Sequence, residues 1–239
     1  MSQNFGKLFL LPVPLAPEAR EKSFTPYWTA IANQLKTYIV EQEKTARKFL
    51  KEGGLLIPQS DLKIYDYGKH KRGQSVEMFF KELKAGEDVG LMSEAGCPGV
   101  ADPGAEIVAY AHSKGIQVVP LVGPNSMIQA LMASGLTGQS FAFHGYLPID
   151  KNDRSKKIKE LEQLSMRHRQ TQLFMETPFR NNQLFEEILK SCTGNTELCV
   201  AVNINAPDEF IQTKPIAKWK LQKLDLHKKP CIFLLLKKA

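Results

Sequence analysis

Chemistry is most densely concentrated in the stretch Ser93–Gly104, SEAGCPGVADPG, which carries three glycines, two prolines and two acids in 12 residues. That is not the composition of a core. Glycine lets a backbone approach a ligand closely, and a stiff loop presents its amides and carbonyls. A connection that is only a turn is usually about 2–6 residues long. This one is longer and reads as a ligand loop, with Ser93, Glu94, Ala95, Gly96 and Cys97 leading it. A second group is Val119–Leu136, where a Gly-Pro turn precedes a helix of small residues. Asn125 and Ser126 sit at its start, where they either cap the helix or meet a ligand. A third is Glu176-Thr177-Pro178-Phe179-Arg180. A carboxylate there accepts hydrogen bonds from a ribose or an amine, or else helps cap the next helix. A fourth is Glu41–Leu50, EQEKTARKFL. Glu41, Thr45 and Lys48 share a helical face, and Glu43 and Arg47 form an i, i+4 pair that elsewhere is simply solvated. Among the histidines, His144 in Phe-His-Gly-Tyr falls beside a strand end, as a packing residue or as a base. No G-x-x-x-x-G-K-[ST] and no G-x-G-x-x-G after the first strand is present, so ATP and dinucleotide sites of those types are not expected. The first loop, Pro12–Pro17, is rich in prolines, which lack a donor and stiffen the backbone, so it forms a wall rather than an anion cradle.

These groups need elements to hold them. Apolar runs at Lys7–Val13, Thr37–Glu41, Lys63–Tyr67, Asp88–Ser93 and Ile116–Leu121 read as strands. Helical patterns lie between them at Glu41–Lys51, Ser75–Ala85 and Pro103–Ser113, the last with Asp102 as expected N-cap and Gly115 as stop. This alternation predicts a parallel sheet covered by helices, with ligands at the carboxyl ends of the strands. In the second half, Asn125–Ser134 and Asp153–Arg169 read as helices. Ser140–Gly145, Thr171–Glu176, Glu197–Asn203, Glu209–Thr213 and Cys231–Leu236 read as strands. Too few residues separate Asn203 from Glu209 for a crossover helix, so that pair must be antiparallel. Two domains are expected: an N-terminal α/β domain over 1–122 with a parallel sheet, and a C-terminal domain over 123–239 with a mixed sheet.

The chain has 239 residues, 43% hydrophobic and 24% charged, which excludes a disordered, collagen-like or disulfide-stapled chain. Residues 1–122 carry a net charge of +1 and residues 123–239 a net of +6. A basic half suits an acidic partner such as RNA, although surface lysine alone also produces it. The helix Lys151–Arg169 has seven basic residues against three acidic, and the basic loop Lys69–Gly73 contains His70. The four cysteines form no C-x-x-C pair, and no histidine lies at ligand spacing from them, so no metal site is expected. Scattered thiols read as reduced and intracellular. No apolar run is long enough for a signal peptide or a membrane span.

In order and spacing, SEAGCPGVADPG, VVPLVGPNSMIQALMASGL, FHGYLP and FMETPFR resemble the tetrapyrrole methylase superfamily. They are most similar to its small-subunit ribosomal RNA 2′-O-methyltransferase branch. EQEKTARKFL also fits that branch, and the resemblance runs from Leu8 to Leu236. It implies a cytoplasmic, two-domain α/β enzyme, usually a homodimer, that binds S-adenosylmethionine folded in the cleft between domains and has ribosomal RNA as its partner. By motif, the implied cofactor neighbours are Val13, Pro14, Ser93 to Cys97, Asn125, Ser126, Glu176 and Ile204. Glu41 is the implied base or substrate orienter and His144 the alternative base. Arg47 and Lys48 are the implied holders of substrate phosphates.

The chain departs from that pattern in four places. The first loop lacks the family's Gly-Asn. Glu41-Gln42-Glu43-Lys44 stands where the family has Glu-Asp-Thr-Arg. Glu94 and Cys97 alter the Ala-Gly-Thr-Pro loop, and His144 replaces a glutamate. Two other functions are therefore carried alongside: methylation of a small, tetrapyrrole-type molecule, and a non-catalytic S-adenosylmethionine-binding paralogue.

Overall fold

The computed structural model describes residues 5–68 and 76–238. The basic loop Lys69–Gly73, His70 included, lies outside the described residues, as does the start of the helix expected over 75–85. Contacts divide the chain into two units, Met1–Asn125 and Ser126–Ala239.

In the first unit the apolar runs become β1 (Leu8–Leu10), β2 (Thr37–Val40), β3 (Lys63–Asp66), β4 (Val89–Met92) and β5 (Val118–Pro120). They form one parallel sheet in the order β3-β2-β4-β1-β5. β2 and β4 are buried along their whole length, as expected of parallel strands covered on both faces. Two helices after β1 were not apparent in the sequence: α1 (Arg20–Ser23) and α2 (Pro26–Ala32). α2 has an ordinary start signal, since the Thr25 hydroxyl accepts from Trp28 N–H at 3.1 Å and Pro26 follows it. Residues of α2 and of α3 (Glu43–Glu52), including Trp28, Ile31, Phe49 and Leu50, pack with Phe9, Tyr38 and Val40 in one core. Phe79, Phe80 and Leu83, with Ile107 and Ala111 of α5 (Ala105–Ser113), form a second core against Leu8, Ile39 and Leu91.

Some boundaries differ from expectation. The segment before β4 is a 3-10 turn, Val76–Phe80, followed by α4 (Lys81–Lys84). The α5 N-cap is Gly104, not Asp102. The loop curls back there, with Gly99 N–H donating to Pro103 O at 3.3 Å, and Asp102 is left in the turn.

The second unit holds α6 (Ser126–Ser134), β6 (Phe141–Tyr146), α7 (Lys151–His168), β7 (Thr171–Met175), α8 (Asn181–Ser191), β8 (Glu197–Val202), β9 (Phe210–Pro215), α9 (Ile216–Trp219) and β10 (Cys231–Leu236). Its sheet has the order β6-β7-β10-β8-β9 and is mixed: β6 and β7 are parallel, and the other pairs are antiparallel. β9 lies antiparallel to β8, as the short connection requires. β10 is buried throughout. Its Phe233 stacks on Phe174 with centroids 6.0 Å apart, in a core completed by Ile158, Leu161, Leu184 and Trp219.

Trp28 links the first core to the loop after β1. It is fully buried, lies 4.4 Å from the Phe24 ring and donates its indole N–H to Pro12 O at 2.8 Å. Trp28→Ala removes both the packing and the bond to the loop. Denaturant unfolding is expected to show a loss of about 3–5 kcal/mol; a loss below about 1 kcal/mol would show that this anchor is dispensable.

Candidate functional site

The carboxyl ends of β1 and β4 are neighbours because these strands pair directly. The loops that leave them are joined by a two-bond antiparallel bridge: Val13 N–H donates to Gly96 O at 2.9 Å and Gly96 N–H to Val13 O at 3.1 Å. Both residues therefore act as structural clasps through their backbones. Gly96 has φ of +70°, and a Cβ there would lie 3.2 Å from Leu15 Cδ2 and 3.4 Å from Pro124 O. Only glycine meets that turn without strain. Val13 and Pro14 are buried in the resulting wall.

The same loop is pinned from the β5 side. The Cys97 thiol donates to Pro124 O at 3.3 Å. Burial pushes that thiol up, opposed by a hydrogen bond with the Asn125 side chain. The Ser93 hydroxyl, buried, turns to Ala95 O at 3.3 Å. The ligand loop is thus tied to β1 by Val13 and to the β5 loop by Cys97.

Acids line this edge. Glu41 follows β2, before α3 rather than inside it, since α3 begins at Glu43 with Gln42 as N-cap. Glu41 Oε2 is buried without a hydrogen-bond partner among the described residues. The Thr45 hydroxyl reaches Gln42 Oε1 at 2.7 Å and Glu94 Oε2 at 3.4 Å. Burial, and then the charge of Glu41, raise the Glu94 carboxyl. Burial, then the charges of Glu41 and Glu94, push Asp102 up to about 6. Three carboxylates from the β2 and β4 loops therefore share one region of negative potential. The sequence singled out Glu41 and Glu94. It assigned Asp102 to a cap, because proximity to Glu41, 61 positions earlier in the chain, has no local signature. Among the described residues, no group of three or more His, Cys, Asp or Glu side chains is arranged to hold a metal ion.

Arg47 and Lys48 lie elsewhere on α3. All three Arg47 nitrogens are engaged: Nε and Nη2 with Glu43 Oε1, each at 2.8 Å, and Nη1 with Gln59 O at 2.6 Å. A phosphate would have to displace these partners. Lys48 is exposed, 3.9 Å from Glu52.

The second unit holds the remaining residues. Glu176, buried after β7, accepts from Arg180 Nη2 at 2.7 Å and from Thr177 N–H at 2.6 Å through one oxygen. That oxygen is committed to fixing the start of α8. Ile204 is buried between Asn203 and Asn205, whose φ angles of 49° and 69° turn the chain from β8 toward β9. Ser126 opens α6. His144 sits at an irregularity of β6, where the register with β7 shifts between Phe143 and Tyr146 and Gly145 has φ of +64°. Its Nε2 is 2.6 Å from Gln172 Oε1. The Gln172 amide nitrogen donates to Gln170, so its oxygen is the acceptor and the His144 proton resides on Nε2. Nδ1 is left as the basic nitrogen.

A family model for tetrapyrrole (corrin/porphyrin) methylases matches residues 29–219. The chain belongs to the tetrapyrrole methylase family. The resemblance read from the four motifs is therefore correct. Relatives of this chain include ribosomal RNA small subunit methyltransferase I of Vibrio cholerae, 33% identical over 65% of this chain and 53% of that protein. The Bacillus subtilis protein of the same name is 30% identical over 87% of this chain and 68% of that protein. The chain thus spans about half to two thirds of the length of these relatives. Among solved structures, the methyltransferase CobJ shares the fold with a TM-score of 0.64 at 15% identity, over 98% of this chain and 95% of that one. Uroporphyrin-III-C-methyltransferase of Thermus thermophilus gives 0.56 at 15% identity, over 97% and 92%. The expected fold class, a parallel sheet followed by a mixed sheet, is the observed one. No helix among the described residues is long and apolar enough to cross a membrane.

Asp102 yields a pH prediction. Its carboxyl keeps its proton to a higher pH in the folded chain than its ordinary 3.8. Unfolding therefore releases that proton between about pH 4 and pH 6, and stability falls as pH rises through this window. Asp102→Asn is expected to flatten that part of the pH–stability curve, with the variant gaining on the parent toward neutral pH. Parallel curves for parent and variant would show that Asp102 titrates normally.

Proposed function

We propose that this protein is an S-adenosylmethionine-dependent methyltransferase acting on a ribose 2′-hydroxyl of ribosomal RNA, as a homodimer in the cytoplasm. The observation that carries the reading is the Val13–Gly96 clasp beside the Glu41, Glu94 and Asp102 carboxylates. It stands in a chain whose relatives bear the name ribosomal RNA small subunit methyltransferase I. The basic second half supports an RNA acceptor.

The residues suit the cofactor chemically. S-adenosylmethionine brings a sulfonium and an ammonium, and the clustered acids, one with a buried and unpartnered oxygen, favour a cationic ligand. Val13, Pro14, Ser93, Glu94, Ala95, Gly96, Cys97 and Asn125 would hold it. Ser126, Glu176 and Ile204 of the second unit are candidates for the same role. The cofactor supplies an electrophilic methyl group.

The chain supplies alignment and a proton acceptor. Transfer to a hydroxyl is a displacement that gains chiefly from proximity and orientation. The hydroxyl is a weak nucleophile and gains further from a base. Glu41 Oε2 takes that role, because it is the buried carboxylate oxygen in the cluster that no internal donor satisfies. The clasp fixes the loop, so little motion accompanies the step.

Calorimetric titration with S-adenosylmethionine is expected to show binding that Gly96→Val abolishes, since a branched side chain at φ +70° opens the clasp. Glu41→Gln is expected to weaken cofactor binding modestly and, at saturating cofactor, to lower methyl transfer into small-subunit particles by about 10²–10⁴-fold. Unchanged transfer in Glu41→Gln would remove it as the base and leave His144 to be tested. Absence of cofactor binding by the parent protein would overturn the reading.

A further inference from the structure

The start of α8 holds a construction that the methyl-transfer site does not use. Phe179 is 67% exposed, directly after the buried Glu176 and the half-buried Thr177 and Pro178. Single exposed apolar residues are common and usually mean nothing. This one differs in how firmly its surroundings are built. Its ring meets the His227 ring edge to face at 6.0 Å. The segment that carries His227 is fastened to the first turn of α8 by a set of hydrogen bonds. Lys228 N–H donates to Pro178 O at 3.0 Å. The fully buried Asn181 donates its Nδ2 to Lys229 O at 2.6 Å. Asn182 Oδ1 accepts from Leu226 N–H at 2.7 Å, and its Nδ2 donates to Asp225 Oδ1 at 2.9 Å. That carboxylate also accepts His227 N–H at 3.0 Å, so it serves the loop's own backbone.

Lys228 adopts φ of +60°, a conformation that disfavours a side chain. The fold bears that strain and places Lys228 and Lys229 next to an exposed aromatic pair. A rigid aromatic face flanked by cations is the arrangement that receives an unstacked nucleobase and its phosphate. A purely apolar partner would gain nothing from the lysines, and a duplex would keep its bases away from the ring.

We propose that Phe179, backed by His227, is a stacking platform for an unpaired nucleotide of an RNA, whose backbone phosphates are met by Lys228 and Lys229. The proposal rests on the reading of RNA as acceptor, and adds a binding point for a single-stranded segment of that RNA.

The test measures affinity for a labelled single-stranded oligoribonucleotide by fluorescence anisotropy across a salt series, using the full chain. Phe179→Leu keeps bulk and apolarity but removes the π face, and is expected to weaken binding at least about five-fold. Phe179→Trp is expected to retain or strengthen it. Lys228→Asn, a residue that tolerates the left-handed backbone, is expected to reduce the salt slope by about 0.7. The same affinity for parent and Phe179→Leu, in a parent that binds and methylates RNA, would overturn the platform and leave the RNA reading intact. A parent that neither binds nor methylates RNA would overturn the RNA reading, and the platform with it.

Discussion

The geometry of the first unit's edge depends on one short pairing, the two hydrogen bonds between Val13 and Gly96. It exists because β1 and β4 are adjacent in a parallel sheet, so that both chains leave at the same end. A ligand loop of 12 residues would otherwise be free to sample many shapes, at a conformational cost of order 1–2 kcal/mol per residue ordered. The clasp, the Cys97–Pro124 contact and the Trp28–Pro12 bond transfer the rigidity of two cores to that loop. Preorganisation of this kind is what methyl transfer requires of a protein.

The clasp also sets the electrostatics. Fixing the β4 loop brings Glu94 and Asp102 toward Glu41, and burial together with the Glu41 charge raises the proton affinity of both. Such a cluster is unfavourable for the folded state by itself. Proteins retain unfavourable arrangements mainly where function requires them. Other charged groups of this unit form ordinary ion pairs, Arg47 with Glu43 and Lys84 with Glu77 among them.

Much of this was legible in the sequence. The alternation of apolar runs and helical patterns located all ten strands found among the described residues, and the missing crossover after Asn203 fixed an antiparallel pair. The loop Ser93–Gly104 stood out by composition. What escaped was what depends on distant partners. Arg47 looks like a phosphate ligand until Gln59, 12 positions later, takes its guanidinium. The orientation of His144 is set by Gln172, 28 positions later, which no local pattern announces. Asp102 reads as a cap because its position before a proline is a strong local signal, which the loop's own curl overrides. α1 and α2 were hidden by brevity, since neither is long enough to show a periodic face.

The place of β10 in its sheet has a consequence for biosynthesis. It follows the other four strands of its sheet in the chain, yet it lies between β7 and β8. Until it arrives, β6–β7 and β8–β9 are separate ribbons, each with an open edge and an apolar face. The nascent second unit must hold these two ribbons apart from each other and from other chains until six residues, Cys231–Leu236, slot between them.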